Sequence, residues 1–209
     1  MQALNQTITK EELLKELRWH QAQDNFVKGK YFSDGKGCAV GCSLESIARA
    51  KNIKISFDDH SQYPIHLGMP VWLARLEDSI FENLPMERAK LWPVEFIEAI
   101  NPGSDLDQAK VPFLLAVQKK NIEILDSCIF YAVNFPMVAG AIRTSRAAVV
   151  EVIRCLESNL NLSTAWGAAR SAARSAAESA AESAARSAAW SAAYECFADE
   201  LLKLIRECR

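Results

Sequence analysis

Residues 70–85 read PVWLARLEDSIFENLP, and this stretch predicts the clearest helix of the chain. Pro70 suits the first turn of a helix, where a missing backbone N–H leaves no intrahelical bond unmade, and Pro85 ends the segment. Apolar side chains recur between them at helical spacing, at Leu73, Leu76, Ile80 and Leu84. The other face is expected to be solvated and to carry Arg75, Glu77 and Asp78.

The sequence before this helix carries further structural signals. Thr9 and Glu12 stand at the spacing of a capping box, which predicts a first helix that runs to about Gln23. Residues 24–37 contain glycines and an Asp-Gly pair, so a hairpin or an ordered loop is expected there. Residues 38–52 are rich in small side chains and predict a short helix.

The sequence after this helix is also expected to be largely helical. Pro93 predicts the start of one helix, and another is expected from Ser104 or Asp105. Residues 121–136 fit a strand by their β-branched and aromatic content, or a helix by their length. A later helix is expected from about Thr144. The predicted fold class is therefore mainly α, with a small loop or hairpin insert.

Residues 161–209 are expected to form a long C-terminal helix beside a compact helical body of residues 1–160. Between Gly167 and Glu195 the chain repeats Ser-Ala-Ala-X, and alanine has the highest helix propensity. The small side chains allow a neighbouring helix to come close, so this helix packs on its own body or on a second copy of the chain. A homo-oligomer formed in this way would use Arg174, Glu178, Glu182, Arg186, Trp190 and Tyr194. A structural or assembly rod is a third interpretation.

The composition argues against several classes of protein. The chain has 24 Lys and Arg against 26 Asp and Glu and a net charge of −2, so it lacks the broad cationic surface that gives affinity for nucleic acid. It contains no uncharged apolar window of about 18 residues and no secretory signal pattern, so no membrane span is expected. Six cysteines in such a chain are typical of reduced thiols, which indicates a cytoplasmic protein.

A box of small residues, GCAVGCS at 37–43, precedes two histidines. One hypothesis makes Cys38 a nucleophile at a helix N-terminus, with His66 or His60 as its base, in a cysteine-dependent hydrolase or transferase. Another makes Cys38, Cys42, His60 and His66 four ligands of a zinc ion. Neither is favoured over burial of two cysteines in a tight helix contact, since free cysteine is among the most buried residue types. No cofactor is expected.

The order of these motifs resembles that of a family of uncharacterised proteins encoded by phages, prophages and bacteria. The segments that carry the likeness are GKGCAVGCSLES at 35–46, His66, LGMPVWLARLEDSIFENLP at 67–85 and WPVEFIEAINPGSDL at 92–106. The likeness covers about residues 28–107 and, more loosely, the alanine-rich tail. It implies a small phage-type accessory protein with a role in counter-defence, and it supplies no catalytic residue.

The expected function is that of a non-enzymatic binding protein whose recognition surface spans residues 31–72. Its partner is expected to be a host protein or a small nucleotide signal. A nucleotide requires a concave site with basic and aromatic groups. The candidates are Lys28, Lys30, Tyr31, Lys36, His66 and Trp72.

Overall fold

The computed structural model describes residues 2–4, 6–131, 134, 136–158 and 184–209, and these residues are mainly α-helical. The helices are α1 (Lys10–Ala22), α2 (Ala39–Lys51), α3 (Gln62–Leu67), α4 (Val71–Asn83), α5 (Met86–Ala89), α6 (Trp92–Ala99), α7 (Lys110–Tyr131), α8 (Pro136–Glu157) and α9 (Ala184–Glu207). A 3₁₀ turn, Leu106–Ala109, precedes α7. The predicted fold class is confirmed. Among the described residues, no helix is both long and apolar enough to cross a bilayer.

The chain groups into two compact units. The first contains Met1–Lys110 together with Trp190–Arg209, and the second contains the described residues of Val111–Ala189. The sequence predicted a body of residues 1–160 and a separate C-terminal helix. The grouping differs from that prediction because the end of α9 belongs to the first unit.

The first helix begins where the capping box predicts. The Thr9 hydroxyl accepts a hydrogen bond from the Glu12 N–H at 3.2 Å, and the Glu12 carboxylate accepts one from the Thr9 N–H at 3.0 Å. Two N–H groups that a helix start would leave without partners are thereby satisfied. The buried face of α1 packs on α2 and α6 and carries Leu13, Leu14, Leu17 and His20.

Helix α4 also lies where the sequence predicts it, with Pro70 as its N-cap and Leu84 as its C-cap. Three of the four stripe residues are buried, and Leu76 is half-buried. The helix packs against α2 and α6. Trp92, at the start of α6, donates from its indole N–H to the Glu77 carbonyl at 3.2 Å and joins the two helices.

A short antiparallel hairpin occupies the predicted insert. Phe32 pairs with Gly37 and Ser33 with Lys36. The two turn residues, Asp34 and Gly35, have φ values of 55° and 78°. Positive φ at both positions is the requirement of the turn that best fits a tight hairpin, and Asp-Gly meets it.

The end of α9 is fixed to the first unit by its apolar face and by its last carbonyl groups. The buried residues of this apolar face include Ala198, Leu201, Leu202 and Ile205. The Asn101 amide donates to the carbonyls of Arg206 and Cys208 at 3.0 and 3.3 Å, and the Asp105 N–H donates to the Arg209 carbonyl at 3.1 Å.

The second unit contains the greater part of α7, together with α8. Residues 121–131 lie in α7, so the described part of the ambiguous segment before residue 132 is helical. Helix α8 begins at Pro136, earlier than the expected start near Thr144, because proline is well suited to the first turn of a helix. Two small apolar clusters lie between the helices; one contains Val152, Cys155, Leu156, Leu114 and Leu115, the other Ala139, Ile142, Leu125 and Ile129.

Only part of the predicted C-terminal helix is described. Arg174, Glu178 and Glu182 lie outside the described residues. Arg186 and Trp190 belong to α9, but their side chains also lie outside the description. Tyr194 is half-buried, and its ring contacts Phe197 at 5.7 Å between centroids. Pairing of two copies through this helix stays a prediction.

Candidate functional site

A small pocket opens where the loop before the hairpin meets the start of α2 and the middle of α4. Its volume is about 180 Å³. It is lined by Gly29, Lys30, Tyr31, Cys38, Asp78 and Glu82, and we call it the acidic pocket. Pockets that enclose drug-sized ligands usually measure about 300–1,000 Å³, so this one suits an ion or a small group.

Glycines of the GCAVGC box allow the loop to lie directly on α2. A Cβ atom added at Gly37 would stand 1.9 Å from the Tyr31 carbonyl oxygen, and one at Gly41 would stand 1.7 Å from the same atom. The close approach lets the Lys30 and Tyr31 carbonyls accept the Cys38 N–H at 2.9 and 3.0 Å. The glycines thus hold the loop, and with it one wall of the pocket, against the helix start.

Cys38 is the N-cap of α2, and it is one of the residues that line the pocket. The thiol is only 2% exposed, and its Sγ accepts the Gly41 N–H at 3.4 Å. Burial raises the pKa of the Cys38 thiol far above its usual range, and the charge of Asp78 raises it further. The thiol is therefore protonated at neutral pH, which disfavours a thiolate nucleophile in the pocket as it stands.

Two carboxylates of α4 face this thiol from successive turns of the helix. The Cys38 Sγ and one carboxylate oxygen each of Asp78 and Glu82 lie within 4.8 Å of one another. Burial raises the pKa of Glu82, its hydrogen bond from Gly29 opposes the rise, and the charge of Asp78 adds to it. The Asp78 Oδ1 atom is buried and has no hydrogen-bond partner in the part of the chain that the structure describes.

Neighbouring groups orient both carboxylates. The two oxygens of Glu82 accept the Gly29 N–H at 3.1 and 3.0 Å, and Gly29 has a φ of 81°, which glycine adopts readily. The Oδ2 atom of Asp78 lies 3.3 Å from the His60 Nε2. The His60 ring packs edge-on against Tyr31 with centroids 5.7 Å apart. The acids are thus held in place by groups around the pocket.

Two of the three lysines expected to bind a nucleotide direct their ammonium groups to other partners. Lys28 donates to the Leu84 carbonyl, and burial lowers the pKa of its ammonium group. Lys30 contributes to the pocket lining but donates to the carbonyl and hydroxyl of Ser33, both at 3.1 Å. Lys36 is exposed on the hairpin. Of the predicted ligand-binding residues, the pocket lining includes Lys30 and Tyr31.

His66 and Trp72 lie outside the pocket lining. The His66 Nδ1 is 3.1 Å from the Thr7 hydroxyl, and burial lowers the pKa of the ring. The Trp72 indole donates to the Asp107 carboxylate at 2.7 Å. His66 is therefore not placed to act as the base for the Cys38 thiol in this structure.

The four residues proposed as zinc ligands do not form a ligand group either. The Cys42 thiol donates to the Gly37 carbonyl at 3.5 Å, and burial raises its pKa to about 12, with a contribution from Glu45. Among the described residues, the metal-ligating side chains that come together are those of Cys38, Asp78 and Glu82. Of the four predicted zinc ligands, this group contains Cys38, and its other members are Asp78 and Glu82.

A second acidic group lies deeper in the same unit. Glu77 was expected on the solvated face of α4, but it is fully buried, and burial raises its pKa to about 8. Burial raises the pKa of the fully buried Tyr63 hydroxyl well above its usual range, and the charge of Glu77 raises it further. The hydrogen bond from the Tyr63 hydroxyl opposes part of the rise in the Glu77 pKa. The expectation failed because Glu77 lies four residues after Leu73 on the apolar stripe.

No protein-family model, curated protein or solved structure matches this chain. The likeness to phage-encoded proteins stays an expectation from the sequence. The interpretation of the pocket therefore rests on its own geometry and charge.

Proposed function

We propose that this chain is a non-enzymatic binding protein and that the acidic pocket is its recognition site. The observation that carries the proposal is the convergence of three side chains from two distant elements, Cys38 at the start of α2 and Asp78 and Glu82 on α4. Convergent polar groups in a small concave site are the usual signature of a binding site.

The charge of the pocket favours a positively charged ligand. A phosphate placed about 4 Å from either carboxylate would cost on the order of 1 kcal/mol in bulk water and about 4 kcal/mol near a protein surface. The lysines that would offset this cost hydrogen-bond to backbone carbonyls instead. A cation gains the same interaction energies that a phosphate loses, so the ligand is a metal ion or a small amine rather than the phosphate of a nucleotide.

The cysteine-dependent enzyme is less well supported than the binding protein. A hydrolase needs a thiolate with a base beside it. Cys38 instead has two acids beside it, and the His60 ring pairs with one of them. A role as a phage-type accessory protein in the host cytoplasm, acting in counter-defence on a host protein or small ligand, follows from the sequence resemblance and belongs to this proposal.

Native mass spectrometry of protein purified from cells tests the proposal. Wild-type protein is compared with the double variant Asp78→Asn, Glu82→Gln and with a matched control, Glu11→Gln, Asp34→Asn, which neutralises two exposed acids outside the pocket lining. We expect a bound cation or amine in the wild type and the control, and its loss in the pocket variant. A bound species retained in the pocket variant, or none in any of the three, would refute the acidic pocket as the recognition site.

The same spectra test the proposed homo-oligomer. A dimer mass in all three proteins supports pairing through the Ala/Ser-rich helix, which requires no pocket residue. A monomer under the gentlest conditions refutes it.

A further inference from the structure

We propose that the acidic pocket binds a divalent transition-metal ion of the Zn²⁺ class, with Cys38, Asp78 and Glu82 as its three protein ligands. This inference rests on the proposed function and identifies the ligand. Structural zinc sites close four positions with protein atoms, whereas open sites have three protein ligands and a water. The acidic pocket resembles an open site, because its three donor residues line a cavity of about 180 Å³ in which a water could be the fourth ligand.

The spacing of the donor atoms fits such an ion. Zn–S bonds of about 2.3 Å and Zn–O bonds of about 2.0–2.2 Å place the ligand atoms of a tetrahedral site roughly 3.5 Å apart. The three donors already lie within 4.8 Å of one another. Binding of the ion would draw these side-chain atoms together to the tetrahedral spacing.

The electrostatic state of the pocket gives a second, independent argument. The buried Asp78 Oδ1 has no hydrogen-bond partner among the described residues. Buried polar groups in folded proteins almost always have partners, so groups that lack them require an explanation. A cation between Cys38 and the two pocket acids supplies the missing partner to Asp78 and offsets the charge of the Asp78 and Glu82 carboxylates.

The second coordination shell is also present. Ligating carboxylates in metal sites are usually hydrogen-bonded through their other oxygen, which fixes their orientation. Asp78 is held by His60, whose Nε2 lies 3.3 Å from the Asp78 Oδ2. In Glu82 both oxygens share the Gly29 N–H. One carboxylate oxygen of each acid lies within 4.8 Å of the Cys38 Sγ.

The donor set selects the class of metal. A thiolate disfavours Mg²⁺ and Ca²⁺, which take oxygen ligands, and three protein donors are too few for the six to eight oxygens of a Ca²⁺ site. One sulfur with two carboxylate oxygens suits the borderline ions Zn²⁺ and Co²⁺. Metal binding displaces the proton of the Cys38 thiol, which leaves to solvent as the S–metal bond forms.

A cobalt titration of the full chain tests this inference, because a thiolate bound to Co²⁺ gives a charge-transfer band in the near ultraviolet. We expect one Co²⁺ per chain, displacement of the band by one equivalent of Zn²⁺, and affinity that rises with pH as the thiol proton is lost. Cys38→Ser removes the band. Cys196→Ser, which alters an exposed cysteine, is the matched control and leaves the band unchanged.

Two further variants keep the test decisive if Cys38→Ser fails to fold. Glu82→Gln changes a half-buried ligand and should weaken binding at least tenfold, and His60→Ala should weaken it by about 10–100-fold through the lost second shell. A band that persists in Cys38→Ser, or affinity unchanged in Glu82→Gln, means an adventitious ion only and overturns the metal site. No band in the wild type overturns it as well. If the native spectra still show an amine that the double pocket variant loses, the binding site stands and only the metal is wrong.

Discussion

Gly41→Ala is expected to destabilise the first unit, although alanine favours helices. The alanine Cβ would lie 1.7 Å from the Tyr31 carbonyl oxygen, a distance that real Cβ atoms do not show. The loop must retreat by more than 1 Å, which would weaken the two hydrogen bonds that the Cys38 N–H donates to the Lys30 and Tyr31 carbonyls. Overpacking of this kind costs about 1–3 kcal/mol and each weakened hydrogen bond about 1 kcal/mol, while the helix propensity returns about 1 kcal/mol. We expect a net loss of about 2–4 kcal/mol in the free energy of unfolding.

Urea denaturation followed by circular dichroism measures this loss. The matched control is Gly140→Ala in α8, where no heavy atom lies within 4 Å of the added Cβ. The control should gain about 0.5–1 kcal/mol from helix propensity alone. If Gly41→Ala is as stable as the wild type or matches the control, the loop does not depend on the close approach, and the account of the glycine box is wrong.

Three further predictions concern single residues. Because the pKa of Glu77 rises from 4.5 to about 8 on folding, the folded state binds the extra proton, and stability falls by up to about 1.4 kcal/mol per pH unit between these values. Glu77→Gln should remove this slope in urea midpoints measured at pH 5 and pH 8, and an unchanged slope would contradict the burial argument. Iodoacetamide should label Cys196 well before Cys38 in native protein, as read by peptide mass spectrometry; prompt labelling of Cys38 would revive the enzyme hypothesis. Thr9→Ala should cost about 1 kcal/mol by loss of the α1 cap, and an unchanged urea midpoint would show that the capping box is dispensable.

Local signals in the sequence predicted most of the first unit. Pro70 and Pro85 set the ends of α4, the Thr9 capping box set the start of α1, and Asp34-Gly35 formed the expected turn. Each of these signals acts within a few residues, so no knowledge of the tertiary fold was needed. The same approach missed the early start of α8 because Pro136 was not used as a start signal.

The pocket could not be predicted in this way. Cys38 was a candidate, but Asp78 and Glu82 are distant from it in sequence, and only the packing of α2 against α4 brings them together. The basic and aromatic residues chosen instead matched a nucleotide in type, whereas packing gave Lys28 and Trp72 other hydrogen-bond partners. The buried position of Glu77 was accessible from the helical spacing of its apolar neighbours.

The return of α9 to the first unit has a consequence during protein synthesis. The hydrogen bond between Asn101 and Arg206 joins residues 105 positions apart, and the whole of the second unit is translated between them. At about 5–20 residues per second, a ribosome needs roughly 5–20 s to add residues 111–205. Throughout that time the first unit lacks Leu201 and Ile205, two side chains that are fully buried in the folded chain. The first unit is thus completed only after the second has been made, and the nascent protein has a defined interval in which chaperone binding or aggregation competes with folding.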